Sequence, residues 1–444
     1  MSNQLPLNSV SKLLLAGSIF IVVLVLTIAA GGVDFLAHDG DVDIVVAYSV
    51  LVYWLLLCIG VLLVLNVRRR PRELLLVVIS VLVAIASVEL GIRYTRPKLA
   101  MLKYYSRSSI KYHHVYPPNV EMYSGIYDGK KVVVTTNEDG LRTRYSRAEF
   151  LRHKNRIVVL GDSFTFGWGV RQKAAFPQMI EKIMKSRPSE DDVAVLNTGV
   201  VSYSPILEER AYFGKLRAYK PDVVLLVLDA TDIGDDIEYA RELTTDDSAS
   251  YFRSATAPPK FRDYGALYNL VYPYIKAALR YPYNALQWRL GGKGYDYYDF
   301  HLVVDGVEES NRFFTYRHPL ESTRQYFLKS LSYINHIAAD VSDSGGKFIL
   351  VVTPRFQHWN PKESSNNWEK FAYKLNEPYQ YEYFRFFDEI KGQVNFDILN
   401  MLPVFQASKQ FPLCFDNDPH WNESGHALVA NALVDYLVKK RVIH

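Results

Sequence analysis

Apolar residues follow two different patterns along this chain. Before position 95 they form three long runs: Leu13 to Ala30, Ile44 to Val67 and Leu74 to Ile92. Beyond position 156 they come in short bursts divided by mixed, polar stretches. A helix crossing the hydrocarbon core of a bilayer needs about 20 apolar residues. Each long run meets that need, so residues 1–94 are expected to form three transmembrane helices. The first is expected to remain uncleaved, because only Lys12 stands in the n-region of a would-be signal peptide and two further spans follow closely.

The short bursts predict a different architecture. IVVL at 157–160, VAVLN at 193–197, DVVLLVL at 222–228, KFILVVT at 347–353 and FDILN at 396–400 read as buried strands. Between them, Phe176 to Lys185, residues 206–219, Glu321 to Val341 and Asn422 to Lys439 read as helices. Repeated alternation of this kind predicts an open, mostly parallel sheet covered on both faces, an α/β fold. Residues 95–155 carry the turn signals YPPN, YDGKK and NEDG around a strand-like VVVTT at 132–136, a β-rich lead-in to the domain at 156–444. The stretch 234–320 interrupts the alternation.

Charge fixes a direction for the spans. The loop between the first two holds Asp34, Asp39, Asp41 and Asp43; the loop between the second and third holds Arg68, Arg69, Arg70 and Arg72. The positive-inside rule places the arginines and the N-terminus in the cytoplasm, and the α/β region outside the cytoplasmic membrane. Arg93, Arg96 and Lys98 pull the other way. Glu89 is expected to pair with Arg93 one turn later rather than to act within the membrane. A net charge of +4 over 444 residues, with no basic stripe, argues against a nucleic-acid partner. The two cysteines, Cys58 and Cys414, sit in unrelated regions, so neither a disulfide nor a structural zinc site is expected. No cofactor or metal is expected.

Ligand sites of such sheets lie beyond the carboxyl ends of the strands. Gly161-Asp162-Ser163-Phe164 follows the first strand at once, where a serine can point into a cleft, although Asp and Ser also suit a helix cap. A hydroxyl nucleophile needs a base, and the base a carboxylate behind it. Asp416-Asn417-Asp418-Pro419-His420 precedes the last helix and offers both, although it also reads as a cap region.

Taken together these blocks resemble the SGNH/GDSL hydrolases. IVVLGDSFTFGWGV at 157–170 is similar to that family's nucleophile block, NTG at 197–199 to its second and DATDIGDD at 229–236 to its third. DPHWNESGHALVANAL at 418–433 is similar to the histidine block, and NEDGLR at 137–142 to a lead-in common in such proteins. The resemblance implies a three-layer α/β/α, flavodoxin-like hydrolase domain with a Ser163–His420–Asp418 triad. Many members place the acid three residues before the histidine, where this chain has Asn417. A related form seen in alginate acetylation proteins has the acid two before, as Asp418 is, and Asp416 is the fallback. The oxyanion donors would be the N–H groups of Ser163 and Gly199, with Thr231 where the family has asparagine. His426 is expected to be a packed histidine, and the adjacent His113 and His114 to diverge.

The implied activity is a membrane-anchored serine esterase or O-acyltransferase acting on acyl esters, acetyl first, of extracytoplasmic carbohydrate. Two other readings stay open: a non-catalytic subunit binding polysaccharide or a membrane acyltransferase, and a lysophospholipase-type lipid esterase. The expected partners are the lipid bilayer, an acylated carbohydrate or lipid substrate, and a membrane acyltransferase. The aromatics of 234–320, among them Tyr264, Tyr272 and Trp288, with Arg262, Arg280 and Arg289, could cap the substrate; helix-like spacing favours a small subdomain with its own core.

Overall fold

A computed structural model describes residues 106–187, 192–243 and 302–442, apart from 368 and 374, together with the short strand Leu102–Lys103 and four helical positions of the third apolar run. The chain divides into two compact units, Met1–Lys103 with Pro258–Tyr283, and Tyr104–Ala257 with Asn284–His444. Everything that follows concerns the second. The three expected spans otherwise lie outside the described residues, as do the aromatics and arginines of the stretch expected to form a small subdomain. Among the described residues no helix is long and apolar enough to cross a membrane.

The second unit is an α/β fold around a five-stranded sheet. Its strands are β1 (Asn155–Gly161), β2 (Val193–Asn197), β3 (Val223–Leu228), β4 (Lys347–Val352) and β5 (Asp397–Asn400). They lie in the order β5-β4-β3-β1-β2, and every pairing is parallel. That order is the doubly wound one whose switch point lies between β1 and β3, beyond their carboxyl ends. Each apolar burst became a strand because helices cover the sheet: all of Val223–Leu228 is buried, and so is all of Val193–Asn197.

The helices that frame the sheet and the site are α1 (Ser163–Phe166), α2 (Phe176–Lys185), α3 (Pro205–Gly214), α4 (Asp232–Glu242), α5 (Leu320–Asp343), α6 (Glu382–Ile390) and α7 (Glu423–Lys439), beside the shorter Arg147–Phe150, Glu369–Ala372 and Leu402–Ala407. Three details differ from the sequence expectation. The helix expected over 206–219 stops at Gly214 and continues as a separate 3₁₀ turn, Leu216–Tyr219. The interruption expected from 234 begins inside α4, which buries Asp232, Asp235, Asp236 and Glu238. Polar residues facing inward hide the usual amphipathic stripe. The described end of that interruption is a hairpin, Leu302–Val304 with Val307–Glu309. Helix α6 was not expected at all; its Tyr383, Phe384, Phe386 and Phe387 are core residues in a locally aromatic, loop-like sequence.

The lead-in folds as an antiparallel hairpin, Glu121–Tyr127 with Lys130–Thr135. His113 and His114 do not diverge. His113 adopts φ 62°, which turns its ring back so that the two Nδ1 atoms lie 2.7 Å apart. His113 then meets Glu242 at 2.6 Å and His114 meets the Val201 carbonyl at 2.7 Å. Burial lowers the His114 pKa to about 4, against the upward pull of its bond to Val201.

Candidate active site

The turn that carries Ser163 is held by close packing. Gly161 ends β1 at φ 148°, and a Cβ there would come 2.2 Å from Thr165 Oγ1 and 3.0 Å from the Val227 carbonyl. Only glycine fits. Asp162 then caps α1, its Oδ1 accepting from Phe164 N at 2.8 Å. The far end of this short helix is pinned by Arg142 of the NEDGLR lead-in. Its fully buried guanidinium donates to the Phe166 and Gly167 carbonyls at 2.6 Å and to Val170 at 2.7 Å. Asn137 shapes the lead-in turn by accepting from the N–H groups of Asp139 and Leu141. The lead-in motif therefore belongs to the site as its scaffold.

The histidine arrives on the loop before α7. Asn422 caps that helix, accepting from Ser424 N and Gly425 N, and its amide donates back to the carbonyls of Pro412 and Cys414. Trp421, wholly buried, packs on Phe164 with ring centroids 4.7 Å apart. These contacts lock the loop against α1.

The result brings three distant side chains together. His420 Nε2 lies 2.7 Å from Ser163 Oγ. His420 Nδ1 bonds to Asp418 Oδ1, and the same carboxylate oxygen accepts from His420 N at 3.0 Å. Ser163 is 7% exposed, and the side chains of His420 and Asp418 are 18% and 20% exposed, so solvent reaches the imidazole from one side. Burial works to raise the Asp418 pKa, but the His420 charge and the hydrogen bonds from His420 outweigh it and hold the carboxyl below the usual range. Asp416, the fallback acid, turns away: its oxygens accept from Ser365 and Asn366. His426 packs on Phe176 at 6.0 Å, and its Nδ1 accepts from Phe176 N. Burial takes its pKa to about 3.

The three expected oxyanion donors stand differently. Ser163 N opens α1. Gly199 N is used within the chain, donating to Asn197 Oδ1 at 3.1 Å. Gly199 also lets the second block approach α1, since a Cβ there would lie 2.3 Å from Phe166 N. Thr231 is turned inward: its hydroxyl donates to Asp229 Oδ2 at 2.6 Å and its N–H to the same oxygen at 3.1 Å.

Asp229 in turn accepts from Arg355 Nη1 at 2.7 Å, while Arg355 Nη2 meets Glu369. Burial would raise the Asp229 pKa, but Arg355 and Thr231 outweigh it and hold it low. The Arg355 guanidinium lies 5.6 Å from the centroid of Phe164. Neither Arg355 nor Glu369 was singled out from sequence. A signal existed: Arg355 follows Thr353 and Pro354 directly after β4, at the carboxyl edge where functional groups gather. Carboxyl oxygens of Asp162, Asp229 and Asp232 come within 4.8 Å of one another. Their nearby donors are the chain's own: Phe164 N, Arg355 and, for Asp232, Asp229 N at 2.8 Å.

No family model matches this chain, and no curated protein matches it. Solved structures do. The psychrotrophic esterase EstA from Pseudoalteromonas sp. shares 13% identity over 64% of this chain and 98% of its own, with a TM-score of 0.32. A catalytic mutant of Axe2, an acetylxylan esterase from Geobacillus stearothermophilus, shares 12% over 64% and 94%, with a TM-score of 0.33. A lipolytic protein of the G-D-S-L family from Desulfitobacterium hafniense shares 12% over 65% and 100%, with a TM-score of 0.32.

Proposed function

We propose that this chain is a serine ester hydrolase or acyl-transfer enzyme acting on acyl esters of carbohydrate, anchored in the cytoplasmic membrane with its α/β unit outside. The observation that carries the chemistry is the 2.7 Å contact of Ser163 Oγ with an imidazole whose other nitrogen is held by Asp418. In this reading Ser163 Oγ attacks the acyl carbon as its proton passes to His420 Nε2. Asp418 keeps Nδ1 protonated and balances the imidazolium. The tetrahedral intermediate collapses, and His420 returns the proton to the departing alcohol. His420 then draws a proton from water, or from a second sugar hydroxyl, which attacks the acyl-enzyme and frees Ser163. The anchor and its direction rest on the apolar runs and the arginine loop of the sequence.

The test is fluorophosphonate labelling of the full chain in membranes, with turnover of acetylated oligosaccharide. Wild type should label and turn over, and Ser163→Ala should do neither. Undiminished labelling of Ser163→Ala would reject the assignment.

One observation favours a second reading, a non-catalytic subunit that binds polysaccharide or a membrane acyltransferase. Both Gly199 N and the Thr231 hydroxyl are engaged by acceptors of the same chain. Losing one oxyanion donor costs about 10²–10³ in rate. Full cellular function of Ser163→Ala, with co-purification of an acyltransferase, would favour that reading. A lipid-esterase activity would appear instead as turnover of lysolipids but not of acetylated sugars.

A further inference from the structure

Beside Ser163 lies a group of acids that the mechanism above does not use. Asp162 immediately precedes the nucleophile, and Ser163 Oγ lies 3.3 Å from its Oδ2. Asp229 and Asp232 complete the group of carboxyls within 4.8 Å. Glu208 reaches the same region from α3 and is wholly buried, and neither of its carboxyl oxygens has a hydrogen-bond partner. Asp232 Oδ1 and Asp229 Oδ1 also lack partners.

The charges do not balance. Arg355 is the cation facing this group, and it is shared between Asp229 and Glu369. Arg312, further along, is taken by Asp235 and by Glu369. Buried carboxylates without cations or donors are too costly to remain charged; such groups keep their protons. Protonation removes the charge that burial penalises in Glu208 and Asp232, and among the Asp carboxyls it also provides an O–H donor.

We propose that Asp162, Asp232 and Glu208 share protons at neutral pH, and that this protonated cluster keeps Asp162 from drawing the Ser163 proton away from His420. Asp162 is thus a positioning residue for the nucleophile. As an ionised group it would be a second acceptor for the serine hydroxyl, and its charge would oppose the oxyanion. As an acid it carries no charge to oppose the oxyanion and is a weaker acceptor for that hydroxyl. Electrostatics agree with the geometry. Burial, together with the Asp229 charge, raises the Asp162 pKa to about 7, against the pull of Phe164 N, His420 and Arg355. Burial raises Glu208 well above the carboxylate range, with the charges of Asp162 and Asp236 adding to it. Asp232 is raised by burial and by Asp162, Asp229, Glu208 and Asp235. The Tyr383 phenol, also beside these charges, is pushed up by burial and stays neutral.

The proposal rests on Ser163 being the nucleophile, and the experiment separates the two. The rate of fluorophosphonate labelling is measured from pH 5.5 to 9.5 on the full chain in membranes, for wild type, Asp162→Asn, Glu208→Gln and the Ser163→Ala control. Wild type should lose labelling on the alkaline side by about tenfold per pH unit once the cluster ionises. Asp162→Asn, neutral at every pH, should lack that decline. Glu208→Gln takes away one of the like charges that build up as the cluster ionises at higher pH, so the remaining acids ionise more easily and the decline should move to lower pH. A wild-type rate that stays level to pH 9.5, or an Asp162→Asn protein that keeps the decline, overturns the proposal. If Asp162→Asn does not fold, an unmoved decline in Glu208→Gln overturns it. Labelling abolished by a chelator and restored by Ca²⁺ also overturns it, since a cation would then neutralise the cluster. Labelling of Ser163→Ala at the wild-type rate fails the nucleophile assignment itself, whatever the pH profile.

Discussion

The two groups around Ser163 are built on opposite principles. In the triad, His420 and Asp418 form a chain in which each bridging atom has a partner and solvent is in reach. Around Asp162, the acids Asp232 and Glu208 are also buried, and Asp232 Oδ1 and both Glu208 carboxyl oxygens have no hydrogen-bond partner. Opposite charges and hydrogen bonds hold the triad, whereas the other group gathers acids that fold stability alone would not select. The difference teaches where to look for function. A fold tolerates unpaired buried carboxyls where they act on a neighbouring group, and here the neighbouring group is the Ser163 hydroxyl.

Breaking the triad should have the largest effect. Ser163→Ala and His420→Ala are each expected to lower ester turnover by about 10⁴-fold or more, and the double variant by no more than either alone, because the residues act as a unit. Steady-state kinetics on an acetyl ester check this. Asp418→Asn should cost about 10⁴-fold by favouring the wrong imidazole tautomer. Asp416→Asn, whose side chain faces Ser365 and Asn366, should stay within a few-fold of wild type, and parallel assays of the two separate the acids.

Next comes the joint between the two groups. Arg355→Ala leaves Asp229 and Glu369 buried without their cation. It should lower stability by about 3–5 kcal/mol, read as a fall in the denaturation midpoint. The pH dependence of stability then sharpens the comparison, because the two groups have opposite signs. Asp418 has a depressed pKa, so its contribution is present above the unfolded value and disappears as pH falls through the folded one. Asp162 has a raised pKa, so it costs nothing below the unfolded value of 3.8 and destabilises progressively up to about 7. Thermal unfolding across this range should show Asp162→Asn flattening the loss of stability between those values, and Asp418→Asn flattening the loss at lower pH. The smallest effect is expected at Thr231. With its hydroxyl on Asp229, Thr231→Val should cost about 1 kcal/mol of stability and less than about tenfold in rate. A loss of about 10²-fold or more would show that the hydroxyl swings out to act as an oxyanion donor.

The α/β alternation was legible in the sequence because buried parallel strands are nearly all apolar and stand out from their surroundings. All five expected strands form the sheet. Ser163 and His420 stood out as candidates because one directly follows the first strand and the other directly precedes the last helix, while the choice of Asp418 over Asp416 came only from the family resemblance. Helix α4 was hidden because its inward face carries Asp232, Asp235 and Asp236, which mimic a polar loop. Arg355 and Glu208 were hidden for a related reason: a buried charge looks like a surface charge until its neighbours are known.

By itself the sequence determined the local matters: where the five strands lie, that a serine follows the first of them, and that a histidine precedes the last helix. Tertiary structure alone decided the partnerships, namely which carboxylate of the DNDPH stretch faces His420, where Thr231 sends its proton, and which acids lie together beside Ser163. The physical reason is range. Backbone preference and hydrophobic period act over a few neighbouring residues, whereas hydrogen bonds and buried charges depend on atoms that the chain brings together from more than 250 positions apart.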